Sequence, residues 1–228
     1  MIRLDKYLSD CGLGTRKEVK KLIREGIVKV NGEVIVTSSF VFDETSEVSV
    51  EDEIIPYQKY VYIMLHKPAG YISATESREA NVLDLIEEYY KGLYPVGRLD
   101  KDTEGLLLIT NDGPLGHQLL SPKKHVEKEY IVQVNHPLSE MDLKQFADGI
   151  QWKDESFLPA KVFQSDTTEY HVIIQEGKFH QIKRMFQALD NEVVYLKRIR
   201  MKNLILDDSL EIGQYRFLTD EEIEDLKR

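Results

Sequence analysis

The chain has 228 residues, 42% of them hydrophobic, enough for one large domain or for a large and a small one, each with a core. A single cysteine, Cys11, excludes an internal disulfide framework and any cysteine-rich zinc site, and points to a reducing compartment, read here as the cytoplasm. The formal net charge of −10 argues against a nucleic-acid partner only as a total.

Its distribution reverses that argument. Residues 1–36 carry eight Lys/Arg against five Asp/Glu, and residues 171–203 carry seven against three. The acids concentrate elsewhere, six in 43–53 and eight in 207–225. Local charge sets what a surface attracts, so two stretches invite an anionic partner; the plain alternative is a pair of solvated faces. The first residues, MIRLDKYL, form no apolar h-region, and no run approaches the roughly 18 apolar residues of a membrane span, so neither export nor a membrane is expected.

In chain order, Leu4, Tyr7, Leu8 and Cys11 mark a short helix that Gly12 and Gly14 end. Thr15 and Glu18 form a capping box that opens a second helix, with Val19, Leu22 and Ile23 available to a core. Its other face carries Lys17, Lys20, Lys21 and Arg24 at i, i+3, i+4 and i+7, with Arg16 beside them. Like charges so placed cost a helix about 0.2–0.5 kcal/mol per pair, which suggests phosphate contacts rather than a structural role. VKVNGEVI reads as a hairpin turning at Asn31-Gly32, followed by short strands to about Val50. The acidic, proline-containing EDEIIPYQK, 51–59, reads as a linker between a small domain over 1–55 and a larger one over 60–228.

The larger domain is expected to hold strands at 60–68, 93–96, 105–110, 126–134, 158–164 and 170–175, and helices at 80–90, 114–120, 139–148 and 178–189. Asp166-Thr167-Thr168 fits a hairpin turn, and Thr219 with Glu222 caps a terminal helix. Several connections are too short for parallel crossovers, so the fold class is α+β with a mixed, mainly antiparallel sheet. Over 178–189 the period separates Phe179, Ile182, Phe186 and Leu189, assigned to the core, from His180, Lys183, Arg184 and Gln187.

Four carboxylates surround the apolar run Leu106–Ile109, itself read as a strand buried on both faces. Asp112, in Asn111-Asp112-Gly113, has a turn role, Glu104 reads as solvated, and Asp102 has the polar neighbours Lys101 and Thr103. Asp100 differs, because it follows Arg98-Leu99, whose leucine can anchor the loop inward just before the strand. His66, His117, His125, His136, His171 and His180 show no metal-ligand spacing, and there is no HExxH, Walker loop or GxGxxG, so no metal and no nucleotide cofactor is expected.

GRLDKDTEGLLL at 97–108 resembles the signature of the pseudouridine synthases, enzymes that isomerise uridine in RNA. HKPAGY at 66–71, Lys128-Glu129-Tyr130 and EGKFHQIKRM at 176–185 resemble that family's further motifs, in its order and spacing. RLDKYL, GTRKEVKKLI and GIVKVNG together resemble an S4 RNA-binding domain, so the resemblance covers nearly the whole chain. Within the family it is most similar to the bacterial enzymes of small-subunit (16S) ribosomal RNA.

The resemblance implies an S4-like module followed by a catalytic domain of the pseudouridine synthase type. It implies that Asp100, rather than Asp102, is the catalytic aspartate, that Lys183 is the basic residue pairing with it, and that Tyr130 packs against the target base. Read without it, Tyr130 is a half-buried strand tyrosine. Arg98 would contact phosphate or fill the gap behind a flipped base, unless it forms a structural ion pair. Arg16, Lys17, Lys20, Lys21 and Arg24, with His180 and Arg184, would contact RNA. Gly97 stands where relatives acting on many other sites have His, and Glu104 where relatives often have a small hydroxyl residue.

The reaction breaks the N1–C1′ bond, turns the uracil and joins C5 to C1′, which a single carboxylate can assist without metal or redox chemistry. A nearby Lys favours the ionised carboxylate. Addition to C1′, attack on the base and abstraction of a sugar proton all remain open to it. The uridine must leave its stack, and stacking on an aromatic returns about 1–3 kcal/mol. The expected partner is ribosomal RNA or an assembly intermediate, bound by a monomer; large-subunit (23S) RNA, or a non-catalytic RNA-binding assembly protein, are the alternatives.

Overall fold

In the computed structural model, residues 1–57, 59–87 and 90–228 are described. The chain divides into two compact units, residues 1–61 with 86–93 and residues 62–85 with 94–228. Boundaries at 55 and 60 do not contain the return of 86–93 to the first unit.

In the first unit β1 (Ile2–Arg3) leads into α1 (Leu4–Asp10) and then α2 (Arg16–Arg24). The capping box of α2 is formed: the Thr15 hydroxyl accepts the Glu18 amide at 3.4 Å, and the Glu18 carboxylate accepts the Thr15 amide at 2.7 Å. β2 (Val28–Val30) and β3 (Glu33–Val34) form the expected hairpin, its Asn31 and Gly32 at φ 50° and 82°. Both positive angles match the primed turn that Asn-Gly favours. β4 (Val41–Phe42) pairs with β1, and β5 (Val48–Val50) and β6 (Glu53–Ile54) complete a sheet of order β3-β2-β5-β6. Leu4, Tyr7, Leu8, Val19, Ile23, Val28 and Val48 share its core.

The stretch read as a linker is mostly part of this unit. Its acids Glu51 and Asp52, at φ 51° and 70°, make the β5–β6 turn, and Glu53 and Ile54 pair with β5. The Tyr7 hydroxyl donates to the Ile55 carbonyl at 2.7 Å, and Tyr57 stacks on Tyr7 with centroids 4.9 Å apart. The charges reflected a turn rather than a free segment; Gln58, also in that stretch, lies outside the described residues.

The second unit contains β7 (Tyr62–Lys67), β8 (Tyr94–Pro95), β9 (Glu104–Thr110), α3 (Gly113–Leu120), β10 (Lys128–Val134), α4 (Glu140–Asp148), β11 (Gln151–Trp152), β12 (Glu155–Ser156), β13 (Lys161–Asp166), β14 (Glu169–Ile174), α5 (Gln181–Gln187), β15 (Val193–Met201), β16 (Leu204–Ile205), β17 (Tyr215–Phe217) and α6 (Asp220–Lys227). The main sheet runs β13-β14-β10-β15-β9-β7-β17, with β8 on β9 and β16 on β15. Among its named strands only β9 and β15 pair in parallel, so the sheet is mixed and mainly antiparallel. Leu106 to Ile109 are all fully buried, as a strand covered on both faces requires.

Among the differences from expectation, two concern a helix and a central strand. Among the described residues of 80–90 the helical part is a 3-10 turn at Val82–Leu85, where the Asp84 carboxylate accepts the Asn81 amide at 2.9 Å. Glu88 and Tyr89, also in the expected helix, lie outside the described residues. β15 was not read at all, since Lys197, Arg198 and Arg200 interrupt the apolar pattern of VVYLKRIRM, yet it is central to the sheet.

Successive Cα partners Lys67, Gly105, Arg198, Tyr130 and Val172 form one row across five neighbouring strands, so their side chains share a face. Gly105 permits the row: at φ 103°, a Cβ there would stand 2.1 Å from the Arg198 carbonyl oxygen. This row is the floor on which the loop before β9 rests.

Candidate active site

Asp100 lies in that loop, and bonds from three residues fix it. Leu99 is buried as the sequence suggested; its amide donates to Ser73 Oγ at 3.1 Å, and the Ser73 hydroxyl donates back to the Leu99 carbonyl at 3.0 Å. The Thr103 amide donates to the Asp100 carbonyl at 3.1 Å. Lys67, fully buried at the end of β7, directs its ammonium at the carbonyls of Asp100 (3.1 Å), Lys101 (3.3 Å), Thr103 (2.7 Å) and Pro68 (3.0 Å). Burial lowers the Lys67 pKa to about 8, against the pull of Asp102, Asp100 and Glu104. The main chain of the Asp100 loop is thus tied to a cation in the sheet.

The Asp100 carboxylate is half-buried between two basic side chains. Lys183 Nζ, on α5, is 3.3 Å from Oδ2, and His180 Nε2 is 3.5 Å from Oδ1. Lys183 also donates to both Asp102 oxygens, at 2.6 and 2.8 Å, and these bonds hold the Asp102 carboxyl below its ordinary pKa. Its shorter partner is therefore Asp102, whose side chain is 71% exposed against 24% for Asp100. An exposed pair is screened by water, a partly buried one less so.

Around Asp100 an open pocket is lined by Arg98, Tyr130, Ile182, Lys183 and Leu196 among others. Tyr130 is 8% exposed on β10, so its ring is both a packed strand residue and a pocket wall. Arg98 is exposed at the rim. A half-buried carboxylate, a rigid cation beside it and an aromatic wall can receive a planar polar ring and support charge developing at an atom placed over Asp100.

Other expected residues stand elsewhere. Phe179 is not core: it is 75% exposed, because α5 starts at Gln181 and His180 before it adopts the left-handed conformation at φ 48°, which ends the helical period. Leu189 is half-buried, and only Ile182 and Phe186 of that set are fully packed. Arg184 turns from the pocket; it pairs with Glu155, donates to the Phe179 carbonyl at 3.1 Å and lies over the Phe157 ring. Glu104 is not solvated but half-buried, accepting the Tyr195 hydroxyl at 2.8 Å. Asp112 caps α3 by accepting the Leu115 amide at 3.1 Å and also accepts the Tyr62 hydroxyl at 2.7 Å.

On α2, Arg16, Lys17, Lys21 and Arg24 are exposed, but Lys20 is half-buried with its ammonium 3.9 Å from the buried Asp5. Burial opposes ionisation of Asp5, yet the Arg3 hydrogen bonds, with Arg16 and Lys20 nearby, hold its carboxyl below the ordinary value. Lys20 therefore serves the core as much as the surface.

Sequence reasoning missed Lys67 beneath the loop and, on neighbouring strands of the sheet, the buried Arg198 and Lys128. Lys128 is 7% exposed, donates to the Val126 carbonyl at 2.9 Å, and is pushed down to about 8 by burial and then by Arg198. Arg198, 2% exposed, donates from Nε to the Leu106 carbonyl at 2.8 Å and leaves Nη2 buried without a partner. Among the described residues no helix is long and apolar enough to cross a membrane.

The match to known proteins runs the length of the chain. A family model described as RNA pseudouridylate synthase matches residues 61–188, and an S4 domain model matches residues 2–48. A protein of Aquifex aeolicus (strain VF5) named an uncharacterized RNA pseudouridine synthase is 45% identical, over 100% of this chain and 97% of its own. The ribosomal small subunit pseudouridine synthase A of Vibrio cholerae is 42% identical, over 97% of this chain and 98% of its own. A crystal structure of a pseudouridylate synthase superposes with a TM-score of 0.70 at 38% identity, covering 99% of this chain and 100% of that one. The chain therefore belongs to the RNA pseudouridine synthase family, in the form that carries an S4 domain at its N-terminal end.

Proposed function

We propose that this enzyme converts a uridine of small-subunit (16S) ribosomal RNA to pseudouridine, with Asp100 as the reacting carboxylate, Lys183 as its paired cation and Tyr130 as the wall against the base. The observation that carries the reading is the Asp100 carboxylate itself, half-buried in the pocket between Lys183 and His180 on a loop that Lys67 holds from beneath. A protein that only binds RNA gains nothing from a carboxylate facing phosphate, where it weakens affinity.

In this reading a flipped uridine enters against Tyr130, which offsets part of the cost of unstacking, a few kcal/mol. Asp100 assists cleavage of N1–C1′, the uracil turns, C5 joins C1′, and the C5 proton leaves as N1 regains one. Lys183 stays 3.3 Å from the carboxylate and stabilises its negative charge. Arg98 at the rim meets phosphate, and the exposed cations of α2 hold the RNA without reading its sequence. The substrate is naked RNA or an assembly intermediate, met in the cytoplasm by a monomer. The similarity to enzymes named for the ribosomal small subunit supports the choice of RNA.

The test is pseudouridine formation on small-subunit and large-subunit ribosomal RNA, each naked and in partly assembled particles. Product in small-subunit RNA alone is expected. Product in large-subunit RNA alone would move the substrate, and binding of RNA without product in any form would return the chain to an assembly role.

A further inference from the structure

We propose that Phe179, stacked on His180, is a nucleobase platform at the mouth of the Asp100 pocket, receiving the RNA base that neighbours the flipped uridine; this rests on the RNA-modifying reading above. Isolated exposed aromatics are common on protein surfaces, so exposure alone carries nothing. Four further observations set Phe179 apart.

The first is its stack. The Phe179 and His180 rings lie 3.8 Å apart between centroids and 19° from parallel, with one face of the pair left to solvent by the 75% exposure of Phe179. The second is position: His180 Nε2 is 3.5 Å from Asp100 Oδ1, so two stacked rings lead from solvent to the carboxylate.

The third is backbone. His180 holds φ 48° and ψ 35°, a left-handed conformation uncommon outside glycine, though more frequent for His than for most residues. That conformation brings the two consecutive rings onto each other, whereas a continued helix would point them about 100° apart. The fourth is rigidity. The Phe179 carbonyl accepts Arg184 Nη1 at 3.1 Å, the Lys178 amide donates to Gln181 Oε1 at 3.0 Å, and Gln181 Nε2 donates to Glu176 at 2.8 Å. An aromatic on a braced loop loses little freedom on binding, so most of a stacking interaction survives as affinity.

The occupant is a nucleobase rather than a protein side chain because the pocket that His180 lines also carries the cation Arg98 in its wall. Arg98 is exposed with no ion pair among the described residues, whereas Lys178, also in the wall, is held by Glu155 at 3.7 Å and Glu176 at 3.6 Å, so Arg98 is the cation available to a phosphate beside a stacked base, as in single-stranded RNA sites. Stacking tolerates any base, so the platform adds affinity and orientation without choosing sequence.

The test compares wild type with Phe179→Leu, Phe179→Ala and Phe179→Tyr, using in vitro transcribed small-subunit RNA labelled with 5-³H-uridine. Tritium release gives kcat and KM, and filter binding gives the Kd independently of turnover. Loss of one base stack predicts Kd and kcat/KM weaker by about 10- to 100-fold for both Leu and Ala, kcat within about threefold, and recovery with Tyr. Melting temperatures should match wild type, since the ring is not packed in the core. Full retention by Leu would make the contact merely apolar and overturn the platform, as would Kd and KM unchanged in Ala. If wild type itself binds RNA but releases no tritium, the pseudouridine reading fails by that result, and the Kd series still decides the platform.

Discussion

Lys183 lies closer to Asp102 than to Asp100, 2.6 Å against 3.3 Å, although the family resemblance assigns its catalytic pairing to Asp100. The two aspartates differ in environment: the Asp102 side chain is 71% exposed, so its ion pair is strongly screened. Exposed pairs contribute about 0–1 kcal/mol, less than the ~1.4 kcal/mol that corresponds to tenfold in rate. Asp102→Asn is therefore expected to keep kcat within about tenfold of wild type. Loss comparable with that of an Asp100 variant would transfer the chemical role to Asp102.

Lys67 acts on the site through the main chain. Its ammonium donates to four carbonyls, three of them in the Asp100 loop, from a fully buried position. Lys67→Met leaves those carbonyls without their donor and should cost about 2–4 kcal/mol of stability, with kcat falling more than KM rises. Urea unfolding and steady-state kinetics of the one variant measure both. Unchanged stability would mean that the loop holds itself.

Among the described residues Lys128 donates only to the Val126 carbonyl, and it faces the charge of Arg198, so its effect has the opposite sign. Its folded pKa is lowered to about 8 from an ordinary 10.5. Below pH 8 both folded and unfolded chains hold the proton, and the buried charge weakens folding. From about pH 8 to 10.5 the folded chain releases it first, so this group's contribution to stability rises through that window. Lys128→Met should be more stable than wild type at pH 7 by about 1–3 kcal/mol, with the difference shrinking toward pH 10. A variant less stable than wild type at pH 7 would contradict this.

The α2 stripe divides in the structure as it did not in the sequence. Lys17, Lys21 and Arg24 are exposed, whereas Lys20 leans on Asp5. Replacing the three exposed cations by Gln should weaken binding to any RNA and lower the slope of log K against log salt by about 2–3. Lys20→Gln alone should instead lower the melting temperature and leave the slope nearly unchanged. An unaltered slope in the triple variant would make the stripe a solvated face.

Elements governed by local chemistry were legible in the sequence. The capping boxes at Thr15 and Thr219, the Asn31-Gly32 hairpin and the doubly buried run Leu106–Ile109 depend on residues within a turn or a strand of one another. β15 was missed because a buried cation held by a distant carbonyl, Arg198 on Leu106, looks like surface charge in a linear pattern. Phe179 was misplaced because one left-handed residue, His180, ended a period that the sequence continued. Within the site, physical reasoning reached a loop anchored by Leu99 before a buried strand; the choice of Asp100 over Asp102 came from the resemblance. Lys67 lies in HKPAGY, but its task depends on the carbonyl of Asp100, 33 residues further along the chain, and on others of that loop.

The central claim is that Asp100 performs the chemistry. Tritium release from 5-³H-uridine-labelled small-subunit RNA, with wild type and Asp100→Asn under single-turnover conditions, tests it most directly. The account predicts release by wild type and a loss of at least about 1,000-fold in the variant, ~4 kcal/mol of transition-state stabilisation, with RNA affinity unchanged or slightly tighter. A variant retaining a tenth of the wild-type rate would contradict it, since about 1.4 kcal/mol is too little for the reacting group.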